Sequence, residues 1–203
     1  NGEARELARL ITAGAMDDRE RVERLAAWMR TDFAVVEHTH ADSLAAHGLK
    51  LVDNGRAALA QRGGTPDAAQ WAFATLARAL DLPVRELLSS DRTELYFHPN
   101  LQHEGFLPNR RVAVKLPEGW YAVDPGASQL DADMVSQDEE GQPALVCDRD
   151  SAFFLEMPFA EPERSRLTRT AELELAEDGT VSGEVTLEAT GHFNDDRQRR
   201  FVG

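Results

Sequence analysis

The sequence is short of several things, and each shortage narrows what the chain can be. One cysteine, Cys147, stands among 203 residues, so no internal disulfide and no multi-cysteine zinc site is expected. Basic residues are outnumbered: 22 Lys and Arg against 36 Asp and Glu leave a net charge of −14. Nucleic acids and anionic membranes are held by basic surfaces, and none is written here, so neither is expected as a partner. The mixed-sign run "DDRQRR" at 195–200 reads instead as a solvated helix face. Long apolar runs are missing too. None nears the roughly 20 residues of a spanning helix, and no signal-peptide pattern is legible. The chain starts "NGEARELARL" and stops "RRFVG", which reads as a piece of a larger protein whose other domains would be its neighbours. A lone Cys147 fixes no compartment.

What is present is enough to fold. Hydrophobic residues make up 42% and the charges are dispersed, which suits one domain with a true core. "EARELARLITAG" predicts a helix with Leu7, Leu10 and Ile11 on one face, ended by Gly14. "DDRERVERLAAWMRTDF" predicts a second, with acids at its start and Val22, Leu25, Ala26 and Met29 as its stripe. "FAVVEHTHADS" follows as a short strand entering a loop, and 43–62 carry short helical segments broken at "DNG".

At "GGTPDAAQWAFATLARALDLP" the local chemistry is explicit. Two glycines break the chain, Thr65 suits an N-cap, Pro66 the first helical position, and Asp67 the positive helix end. Trp71, Leu76 and Leu80 are the expected apolar side, up to the stop at Pro83. "VRELLSS" reads as a strand, and "DRTELYFHPNLQHEGFLPN" as a long polar-aromatic loop. "RRVAVKL-PEG-WYAVDP" is a hairpin ending in Asp124-Pro125. An acidic connection over 129–160 carries one short strand at "ALVCD". Over 161–203 a second hairpin turns at "EDGT", with Ala171, Leu173 and Leu175 facing Val181, Val185 and Leu187. Such a hairpin is marginal in water, so it either packs on the preceding domain or begins a further β domain.

This order of helix start, strand and Asp-Pro hairpin over residues 3–150 resembles the bacterial transglutaminase-like proteins of papain-related fold. These carry an N-terminal domain of unknown function and further β domains. The resemblance implies an α+β domain over 1–128, helices on an antiparallel sheet, and an extracytoplasmic setting, periplasmic or extracellular. It also implies a Cys nucleophile, a His base and an orienting Asp. Carried over by position, the Cys falls at Thr65, two before Asp67, and the His at Asn109, fifteen before Asp124. The Asp is Asp124 itself. Threonine is far less acidic than a thiol of pKa about 8.5, and an asparagine cannot take up a proton. The implied triad positions are therefore vestigial, and the expected function is an inactive structural or peptide- and protein-binding module, without cofactor. The alternative is a cysteine-type amidase or protease, or a transglutaminase-like hydrolase, whose active site is relocated or falls at positions other than those aligned above.

Other candidates are weaker. On a strand, His38 and His40 in "EHTH" would share a face, as metal ligands must, but they lack a definite third ligand. His98 and His103, in the long loop, are candidates for a displaced base. Cys147 reads as a small strand residue, and Trp71 and Trp120 as core and hairpin packing.

Overall fold

The computed structural model describes residues 2–36, 41–101, 103–127, 130–148 and 151–194. His38, His40 and the 195–200 run lie outside these described residues. The chain begins with helices α1 (Gly2–Ile11) and α2 (Asp18–Asp32), the latter capped by Asp17, whose carboxylate accepts from the amide of Glu20. A two-residue strand β1 (Ala34–Val35) and helices α3 (Ala41–Ala46) and α4 (Gly55–Gln61) lead to β2 (Gly63–Gly64) and the central helix α5 (Pro66–Ala79). β1 and β2 pair in parallel, Ala34 with Gly63 and Val35 with Gly64.

The remaining body is one antiparallel sheet. Its strands are β3 (Val84–Ser89), β4 (Asn109–Leu116), β5 (Gly119–Val123), β6 (Pro143–Cys147) and β7 (Phe153–Glu156), in the order β5-β4-β3-β6-β7. β6 and β7 thus belong to the same sheet as β3 to β5. The expected boundary at residue 128 runs through the sheet rather than around it, and the 129–160 connection carries two strands rather than one. Alternation along β4 serves two cores at once. Val112, Val114 and Leu116 join Val84, Val123 and the helices, whereas Ala113 joins Leu87, Ala122, Val146 and Met157 on the other face.

Helix α5 is buried almost all round, through Ala68, Ala69, Ala72, Phe73, Leu76 and Ala77. Small residues on α5 let its neighbours close in. At Gly55 a Cβ would stand 2.2 Å from the Trp71 carbonyl oxygen, so α4 crosses α5 where only glycine fits. Trp71 itself, expected inside, is 39% exposed, because alanines on the opposite side already seat the helix. Leu10 is likewise exposed while Ala8 takes the buried position on α1. Trp120 lies against Phe153, ring centroids 5.6 Å apart.

Strands β8 (Leu167–Leu175) and β9 (Val181–Ala189) form a separate two-stranded ribbon in the expected register, Ala171 opposite Val185 and Leu175 opposite Val181. Both of its faces are exposed along nearly its whole length. It meets the body at its base. His192 Nδ1 lies 3.0 Å from Ser165 Oγ and Nε2 lies 2.9 Å from the Val135 carbonyl. Arg164 pairs with Asp131 and Asp133 at 2.8 and 2.7 Å.

Candidate active site

The start of α5 is built by the "GGTPD" chemistry. Thr65 is extended (φ −70°, ψ 168°), and its Oγ1 accepts from the amide of Ala68 at 3.2 Å, with Pro66 at the first helical position. A donor left orphan by the helix geometry is thereby satisfied. Thr65 is also covered, with only 6% of its surface exposed. The pairing of β1 with β2 lays residues 34–35 against the two glycines, and Gly63 has no room for a side chain: a Cβ would lie 2.9 Å from both the Ala34 carbonyl and Leu49 Cδ1. Gly64 adopts φ +155°, a region that favours glycine.

Asp124 lies at the end of β5, beside the first turns of α5. Its Oδ1 accepts from the Gly126 amide at 2.9 Å and from Gln70 Nε2 at 3.4 Å. A Cβ on Gly126 would stand 3.3 Å from that Oδ1 and 3.9 Å from Pro66 Cα. The helix start and the aspartate are therefore neighbours. The other carboxylate oxygen belongs to a third residue. Arg111 Nε is 2.9 Å from Asp124 Oδ2 and 2.9 Å from Glu139 Oε2, which Nη2 also reaches at 2.9 Å. Ser89 Oγ donates to the remaining oxygen of Glu139.

Register explains why Arg111 holds this place. The last paired rung of the hairpin is Val112 with Val123, so the next residues outward, Arg111 and Asp124, come opposite one another. Asn109 stands two residues further along β4, roughly 7 Å away at strand spacing, and pairs with Ser89 of β3. By alternation Asn109 and Arg111 share the sheet face of Ala113, the one opposite α5. Of the three positions taken from the resemblance, the fold brings Asp124 next to the start of α5, where Thr65 caps the helix. It sets Arg111, rather than Asn109, against Asp124. Counting back from a two-residue turn at Pro117-Glu118 would have found Arg111 in the sequence; nothing local marks Glu139 or Ser89.

Electrostatically this is a closed unit. Side chains of Asp124 and Glu139 are 5% and 0% exposed and that of Arg111 is 15% exposed. Burial opposes the Arg111 charge, but Asp124 and Glu139 more than offset it and hold the guanidinium more firmly protonated than usual. For Glu139 burial wins over Arg111 and pushes the carboxyl up. Gln70 Oε1 is buried with no hydrogen-bond partner among the described residues.

The other candidates sit elsewhere. His98 Nδ1 accepts from the Asn100 amide at 3.2 Å and His103 Nδ1 from the Gly105 amide at 3.0 Å. Both histidines are exposed and turned onto their own loop. Cys147 is half-buried on β6, its thiol pushed up by burial and by Glu86. Among the described residues no group of three His, Cys, Asp or Glu side chains is placed to hold a metal ion, and no helix is long and apolar enough to cross a membrane.

No protein-family model and no curated protein matches the sequence. Among solved structures, the chain is similar to a candidate protease from Parabacteroides distasonis, with a TM-score of 0.50 at 12% identity over 77% of this chain. It is also similar to a candidate cysteine protease from Cytophaga hutchinsonii, with a TM-score of 0.46 at 11% identity over 93% of the chain. The chain spans 28% of the first protein and 51% of the second. At this identity the first likeness speaks to the fold, which is the α+β fold expected from the sequence.

Proposed function

We propose that this chain is a catalytically silent domain of transglutaminase-like, papain-related fold, serving as a structural or peptide-binding module of a larger protein. The observation that carries the reading is the state of Thr65. Its oxygen accepts from the Ala68 amide and only 6% of the residue is exposed, which supports a capping role over a nucleophilic one. A nucleophile must be accessible and activated by an adjacent base. The residue opposite Asp124 is Arg111, a permanent cation that cannot accept a proton. A cysteine-based alternative would fall to Cys147, whose thiol is pushed up rather than down, the opposite of an activated thiolate.

Turnover decides the matter. Purified protein is incubated with fluorescently quenched casein and with an amine-donor transglutaminase substrate, beside Thr65→Ala and Cys147→Ser. The expected result is no turnover above the protein-free blank. Hydrolysis or amine incorporation that Thr65→Ala or Cys147→Ser abolishes in a folded protein would overturn the reading.

A further inference from the structure

The ribbon leaves one long edge open. Bonds at its two ends, from the Ala176 amide to the Thr180 carbonyl and from the Thr190 amide to the Arg166 carbonyl, fix the parity of the ladder. Even-numbered residues bond across it, so the N–H and C=O groups of the odd-numbered ones point outward. On β9 these belong to Val181, Gly183, Val185, Leu187 and Ala189. The same residues direct their side chains to the apolar face, where Val181, Val185 and Leu187 are 58%, 55% and 43% exposed. Proteins guard such edges with lysine, proline, bulges or charges turned inward. β9 has no Lys, Arg or Pro, and it pairs with β8 rung for rung from Val181 to Ala189, without a bulge. β8 differs. It carries Arg169 on the apolar face, opposite Leu187, a cation that guards its own edge.

We infer that the outer edge of β9 takes up a strand of a partner protein in which apolar and basic residues alternate. An added strand sets its side chains beside those of β9, alternately on the two faces. One set meets Val181, Val185 and Leu187, and the other meets Ser182, Glu184, Thr186 and Glu188. With Glu172 and Glu174 of β8, that second face carries four carboxylates and no cation of either strand. Glu172 stands directly opposite Glu184, and like charges so placed destabilise a strand pair. Lysine or arginine on the incoming strand relieves this repulsion, which selects the chemistry of the partner. The same charges disfavour a second copy. β9 paired antiparallel with its own copy would bring the glutamates of both onto one face, in a chain of net charge −14. The inference goes beyond the silent-domain reading and does not rest on it, since no residue of the α5 start takes part.

Fluorescence anisotropy of the labelled synthetic peptide KVKVKVKVK, titrated with the whole chain at physiological salt, tests it. The peptides EVEVEVEVE and KKKKKVVVV control for charge and for pattern. Saturable binding of KVKVKVKVK is expected, with both controls about tenfold weaker or more. In the complex, hydrogen exchange should slow at the outward amides of Val181, Gly183, Val185, Leu187 and Ala189. Glu184→Lys/Glu188→Lys should weaken KVKVKVKVK about tenfold and strengthen EVEVEVEVE. Should that variant fail to fold, the exchange pattern of the unmodified protein decides. No saturable binding, equal binding of KKKKKVVVV, slowing confined to β8 or to the body, or an affinity unchanged in the folded variant would overturn the proposal. Slowing at β9 that appears on concentrating the protein without peptide would assign the edge to a second copy and overturn it as well.

Discussion

At Thr65 one hydroxyl decides between chemistry and architecture, and here it is bound to the Ala68 amide. Thr65→Ala should then lose about 1 kcal/mol and Thr65→Ser almost nothing, read as denaturant midpoints. Equal midpoints for all three proteins would mean that the cap contributes nothing. This role was legible in the sequence because capping is local: Thr-Pro-Asp carries its own geometry. The role of Glu139 was not, since an acidic run reads as solvated, and only the folded sheet buries that carboxyl beside Arg111. Its pKa is raised in the folded state. A raised carboxyl stabilises the fold below its unfolded value of 4.5 and loses that contribution as pH climbs through the folded value. Glu139→Gln removes the loss, so the variant should gain relative to the unmodified protein as pH rises from 4.5 towards neutrality. Midpoints measured at several pH values check this, and a pH-independent difference would contradict it.

Between elements, close approach matters more than any single bond. α4 lies on α5 at Gly55, where a Cβ would meet the Trp71 carbonyl oxygen and Thr75 Oγ1, each at 2.2 Å. The oxygen is backbone and cannot swing aside. Gly55→Ala should therefore cost about 1–3 kcal/mol as overpacking, although alanine is the better helix former. A melt no lower than that of the unmodified protein would show that α4 can slide. The helices, the first three sheet strands and both hairpins follow from periodicity and turn residues, which act within a few residues of themselves. β7 escaped because "SAFFLEM" has neither clean alternation nor turn signals, and its partner β6 is what extends it. The Arg111–Asp124 pair escaped for a different reason. A site carried over by counting from Asp124 ignores hairpin register, and two residues of offset separate Asn109 from the rung that faces the aspartate.

At the scale of the molecule, a well-buried body carries a ribbon that buries almost nothing. On one face of the ribbon are Leu173 and Val185, 57% and 55% exposed; on the other are Thr and Glu side chains. Two strands alone are marginal in water, and among the described residues this pair is pinned near its base, where His192 meets Ser165 and the Val135 carbonyl. The neutral ring can serve both contacts at once, with Nε2–H donating to the carbonyl and Nδ1 accepting the serine hydroxyl. Stability should then be uneven along the chain, because local opening is cheapest where few apolar contacts must break. Hydrogen exchange followed by mass spectrometry should show the amides of β8 and β9 exchanging far faster than those of β3 and β4. The difference should persist on dilution, since among the described residues none covers the apolar face. His192→Ala should speed exchange in β8 and β9 further and leave β3 and β4 unchanged. Protection of the ribbon equal to that of the sheet would contradict this division, and protection that fades on dilution would mean that a second copy covers Leu173 and Val185.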